Sequence, residues 1–131
     1  MSYTKYAGGN TAYPLDAWLQ AEEKVNAAVT AFAGGGQASA TALTSTANIV
    51  TTVASANDSV KLPLAKKGMK VLVHNGHATN SMQVFGAGVD TINGVATGTG
   101  VAQAATKSAL YYAVADGDGT AVGAWFRLLS A

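Results

Sequence analysis

The chain reads as a mainly β protein. Short runs rich in Val, Ile, Thr, Tyr and Phe alternate apolar with polar residues. Gly- and Asn-bearing turns separate the runs, and the series continues to Trp125-Phe126-Arg127-Leu128-Leu129-Ser130-Ala131. About eight such runs fall in roughly 95 residues with a turn every 8–12, the pattern of an all-β sandwich or barrel. The expected architecture is a β-sandwich or jelly-roll-like domain over residues 37–131. An N-terminal extended arm and one amphipathic helix precede it over residues 1–36.

The arm, residues 1–13, sets Tyr3, Tyr6 and Tyr13 among Gly8, Gly9 and Asn10. Without periodicity it has no face to bury on itself, so it is either disordered or laid on a partner. Three tyrosines favour a partner, because Tyr gives a large contact area at low entropic cost. From Pro14 to about Ala33 the spacing predicts a helix. Pro suits a first turn, and Asp16, Glu22 and Glu23 lie toward the positive end of the dipole. Leu15, Trp18, Leu19, Val25, Ala28, Val29 and Phe32 share one helical face. Gly34-Gly35-Gly36 ends the helix.

After Gly36 the period changes to that of a strand. Ala38–Leu43 is weak, Ile49–Ala54 is rich in Thr and Val, and Ser59–Leu62 is stopped by Pro63. Lys70–Asn75 alternates, with Val71 and Val73 on one face and Leu72 on the other. Ser81–Phe85 follows, and residues 76–80 between them suit a hairpin turn. Thr91-Ile92 leads into Asn93-Gly94, a strong hairpin signal. Val101–Ala105 is weak and Lys107–Ala115 strong, with Leu110, Tyr112 and Val114 opposite Tyr111. Asp116-Gly117-Asp118-Gly119 turns the chain into Ala124–Leu129, where Trp125 and Phe126 take opposite faces. Aromatics on both faces imply that both are covered, one by the core and one by a subunit contact.

Composition narrows the function classes. Charged residues make up 11% of the 131, against about 25% in an average domain, and the net charge is +1. Weak self-repulsion makes close packing against further copies inexpensive. The basic run Lys66-Lys67-Gly68-Met69-Lys70 has no interleaved Arg or aromatic residue, so it lacks a nucleic-acid footprint. With no cysteine, disulfides and thiolate metal sites are excluded. No apolar run approaches the roughly 20 residues that span a bilayer, and the first residues lack the apolar stretch of a secretory signal.

No set of catalytic residues assembles in the sequence. His74 and His77 are the only histidines, and zinc takes three or four ligands. Ser81 or Ser108 with His74 and Asp58 makes a triad only on paper, with no nucleophile elbow around either serine. Asp116-Gly117-Asp118-Gly119-Thr120 opens like a calcium loop, but Arg127 stands where the closing carboxylate belongs. The glycines spell no phosphate-binding motif. The expectation is a non-enzymatic protein with no cofactor and no metal.

Five stretches in order carry a resemblance. They are Asp58-Ser59-Val60-Lys61-Leu62-Pro63, Met82-Gln83-Val84-Phe85-Gly86, Asp90-Thr91-Ile92-Asn93-Gly94, Lys107-Ser108-Ala109 and Trp125-Phe126-Arg127-Leu128-Leu129-Ser130-Ala131. Residues 37–131 resemble a β-domain of tailed-bacteriophage structural proteins, found in capsid decoration (cement) proteins and in some head or tail fibre proteins. The resemblance implies a virion protein made in the host cytoplasm. It would sit on the capsid surface, as a trimer, across joints between subunits of the phage major capsid protein, and stiffen the shell. Neither nucleic acid nor membrane is an expected partner. On this reading Tyr3, Tyr6, Tyr13 and Trp18 are capsid-contact candidates, since aromatic residues dominate binding energy at interfaces. Tyr111 and Phe126 are the subunit-interface candidates. The rival is a head or tail fibre domain that binds a host receptor or glycan through the turn at 75–80 and the loop at 94–100. Those turns lack the aromatic residues that sugar binding uses.

Overall fold

A computed structural model describes residues 24–131 as ten strands. They are β1 (Val25–Thr30), β2 (Thr41–Ala42), β3 (Ala47–Thr52), β4 (Asp58–Lys61), β5 (Lys70–Asn75), β6 (Met82–Phe85), β7 (Thr91–Ile92), β8 (Val101–Gln103), β9 (Ser108–Ala115) and β10 (Ala124–Leu129). The strands form a six-stranded sheet in the order β1-β3-β5-β9-β10-β7 and a four-stranded sheet in the order β2-β4-β6-β8. One cluster of buried apolar residues draws on both sheets, with Val50, Val73, Tyr111 and Trp125 from the first and Val60, Met82, Val84 and Val101 from the second.

The first six strands alternate between the sheets. β1, β3 and β5 enter the larger one and β2, β4 and β6 the smaller, each parallel to the strand before it in its sheet. The chain therefore winds like a coil, laying one strand on each sheet per turn. Antiparallel pairing begins later, in β5 with β9, β9 with β10 and β6 with β8. Both sheets are thus mixed, whereas a jelly roll is built from antiparallel strands.

The helix expected over Pro14–Ala33 is corrected where the structure describes it, from residue 24 onward. Val25–Thr30 is strand β1, parallel to β3. The apolar spacing suits a helix, but β-branched Val25 and Val29 also suit a strand, and the open edge of β3 offers backbone partners that outweigh local propensity. Val29 is buried against the core. A two-bond bridge between Phe32 and Ser59 fixes the exit of the strand. Gly34, Gly35 and Gly36 then all take positive φ and turn the chain, a conformation only glycine adopts freely.

The expected hairpins are also revised. β5 and β6 lie in different sheets, so residues 76–80 form a crossover. Asn93 and Gly94 do take the two positive φ values of a tight turn, and Val95 N–H donates to the Ile92 carbonyl. Yet that turn joins no hairpin, because β7 pairs in parallel with β10. Pairing choices of this kind depend on distant strands, which local turn chemistry does not encode.

Candidate interaction face

The outer face of the six-stranded sheet is built by register. Val25 of β1 pairs with Ala47 of β3, Ala47 with Leu72 of β5, Leu72 with Leu110 of β9, and Leu110 with Leu128 of β10. Directly paired residues project on the same side of a sheet. The result is an unbroken apolar row across five strands. A second row beside it runs Lys70–Tyr112–Phe126. The Lys70 ammonium lies 5.6 Å from the centroid of the Tyr112 ring, so the one charge in these two rows sits on an aromatic face.

The same strands point alternate residues inward. Trp125 is 0% exposed and the adjacent Phe126 is 58% exposed; Tyr111 is 0% and Tyr112 39%. Leu128, Leu72 and Val25 are exposed as well. A run of parallel strands normally has both of its faces covered. Large contiguous exposed apolar patches mark sites that meet other proteins, membranes or ligands.

Tyr111, named from the sequence as an interface residue, lies inside its own chain. Its hydroxyl donates to Gln103 Oε1 at 2.8 Å. Burial pushes its pKa up to about 12, and the neighbouring Arg127 charge pulls only part of the way back. Phe126 stands on the outer face as a contact requires. Tyr3, Tyr6, Tyr13 and Trp18 lie outside the described residues.

Behind the face, polar side chains tie the sheets together. Gln103 of β8 donates through Nε2 to the Val73 and Lys107 carbonyls. Asn75 of β5 donates to the Asn80 and Gln103 carbonyls and accepts from His77 N–H. Arg127 of β10 reaches the Ala102 carbonyl through Nη1. Across the core, Asp90 accepts from Ala65 N–H and Gly123 N–H, both at 2.8 Å. A Cβ built on Gly117 would lie 2.0 Å from Asp90 Oδ1, so Gly117 must stay bare for the carboxylate to reach its donors. Thus Asp90 is committed to binding three loops.

The remaining chemical candidates are occupied in the same way. His74 Nδ1 and Ser108 Oγ do meet, 2.8 Å apart. Asp58 belongs to the other sheet, where its oxygens accept from Gly34 and Ser55 N–H. His77 Nδ1 accepts from Thr79 and Asn80 N–H. Asp118 Oδ1 accepts from Ala121 N–H and Thr120 N–H within its own turn, which holds its carboxyl below its usual pKa. A cleft of about 320 Å³ beside β1 is lined by Lys24, Leu43, Pro63, Met69 and Lys70 among others, with no acidic or His side chain. Among the described residues no helix is long and apolar enough to cross a membrane.

Scans against protein families, curated sequences and solved structures find no match for this chain. Sequence reasoning placed Leu72, Leu110, Tyr112 and Phe126 on the correct sides of their strands. It missed that register joins them to Val25 and Leu128 in continuous rows, because strand order is not a local property.

Proposed function

We propose that this protein is a non-enzymatic structural component of a bacteriophage virion, one that binds the outside of the capsid and stabilises the shell by bridging major capsid protein subunits. The outer face of the six-stranded sheet is its contact with further copies of the chain, in a trimer. We read the two mixed sheets as the layers of a sandwich that presents this face.

The observation that carries the reading is the apolar row Val25–Ala47–Leu72–Leu110–Leu128, with Tyr112 and Phe126 beside it. Physical economy supports the choice of copies as occupant. The described face carries Lys70 and no carboxylate, and the chain's net charge is only +1, so like surfaces meet with little repulsion. Closed symmetry lets one patch be buried in every subunit at once. Three subunits on one lattice site then multiply a modest affinity for the capsid through effective concentration. A glycan-binding fibre domain would present aromatic residues on its turns. Of the exposed aromatics, Tyr112 and Phe126 lie instead on the sheet, and Phe32, just past β1, is held by its bridge to Ser59.

Co-sedimentation with shells assembled from the cognate major capsid protein tests the reading. The expected result is saturable binding and a shell that survives heating or chelation better than the bare one. Absence of binding at micromolar protein, together with binding to a glycan array, would replace it with the fibre reading.

A further inference from the structure

The chain contains Asn-Gly twice, at Asn75-Gly76 and at Asn93-Gly94. This dipeptide carries its own reactivity. The glycine nitrogen can attack the Asn Cγ, since no Cβ on the following residue crowds the approach. The attack needs a free backbone N–H and an accessible side chain. A donor aimed at the amide oxygen, which gains negative charge as the bond forms, assists it.

The fold gives the two sites opposite settings. Asn75 is 0% exposed. Its Nδ2 donates to two carbonyls and Gly76 N–H is spent on the Val50 carbonyl at 2.8 Å, while its Oδ1 accepts from His77 N–H, a kind of contact that both sites share. Neither the nucleophile nor the leaving group is free. Asn93 is exposed, in a left-handed turn with φ of 53°, and Gly94 follows with φ of 75°. No described residue accepts a backbone hydrogen bond from Gly94 N–H. Asn93 Oδ1 accepts from the Arg127 backbone N–H at 2.9 Å, which places a fixed donor on the oxygen that becomes the oxyanion.

We propose that Asn93-Gly94 is a self-modification site, deamidating in the folded protein while the fold protects Asn75-Gly76. The Gly94 nitrogen loses its proton to solvent hydroxide and bonds to Asn93 Cγ. The Cγ–Nδ2 bond breaks, and the amide nitrogen takes a proton and leaves as ammonia. Water then opens the five-membered imide at either carbonyl, giving Asp or isoAsp at position 93. One water is consumed and one ammonia released, with no redox change. The Asp product places a full carboxylate on Arg127 N–H, a stronger hydrogen bond than the amide made. The isoAsp product lengthens the backbone immediately after β7 and loosens its pairing with Ala124 and Trp125. Either product removes the chain's single net positive charge. The proposal is independent of the virion reading.

The test is peptide mass mapping of the purified full chain after ageing in mildly alkaline buffer, alongside a sample aged in urea. In the folded sample, conversion at position 93 should exceed that at position 75 by about tenfold or more, as a barrier difference of about 1.4 kcal/mol gives. Unfolding should bring the two rates together. An Asn93→Gln variant should lose the product at 93 and leave position 75 as before. Equal rates at both sites in the folded chain, or an intact Asn93 after unfolded Asn75 has converted, would overturn the proposal.

Discussion

Trp125 and Phe126 are neighbours in sequence and opposites in environment. Trp125 closes the core between the two sheets, while Phe126 lies on the outer face and is more than half exposed. The contrast extends along β5, β9 and β10. Their inner residues meet Gln103, Asn75 and the apolar core, and their outer residues form rows that nothing in the described chain covers. The inner side accounts for the fold. The outer side holds large apolar groups that do not stabilise the isolated chain, and in the proposed function it is the binding side.

The contrast sets an order of effects. Trp125→Ala should cost about 3–5 kcal/mol of stability, the usual range for emptying a buried aromatic site, measurable as a lower urea midpoint. Gln103→Leu removes the acceptor of Tyr111 and the donor to two carbonyls, and should cost about 1–3 kcal/mol through unsatisfied buried groups. The Tyr111 pKa is raised by burial from 10.0 to about 12. Its neutral form therefore supports the fold fully below pH 10, and that contribution is lost as pH rises toward about 12. Alkaline denaturation of a Tyr111→Phe variant should lack this component. The smallest effect belongs to Phe126→Ser, which should change the stability of the separated chain by less than about 0.5 kcal/mol.

What was legible in the sequence follows the same division. Period-two alternation located β5 and β10 to the residue, and it put Tyr111 opposite Tyr112 and Trp125 opposite Phe126, because facing is a local property of a strand. Parallel winding was not legible. Asn93-Gly94 forms the turn its chemistry favours, but the strand that β7 joins is chosen by β10, some thirty residues away. The helical reading of Val25–Thr30 failed because the edge of β3 is invisible from within that segment. Tyr111 drew attention as a contact residue because an aromatic strand residue looks alike whichever side is covered. The polar ties through Asn75, Gln103 and Asp90 had no local signal beyond the bare glycines at 117 and 123 that Asp90 requires.

The most direct test of the central claim is the solution mass of two proteins by light scattering with chromatography. One is the wild-type chain of 13.1 kDa; the other carries Leu72→Asp, Phe126→Asp and Leu128→Asp on the outer face. The account predicts a trimer for the first and a folded monomer for the second, with circular dichroism unchanged between them. A wild-type monomer, or a variant that keeps the wild-type mass, would contradict it.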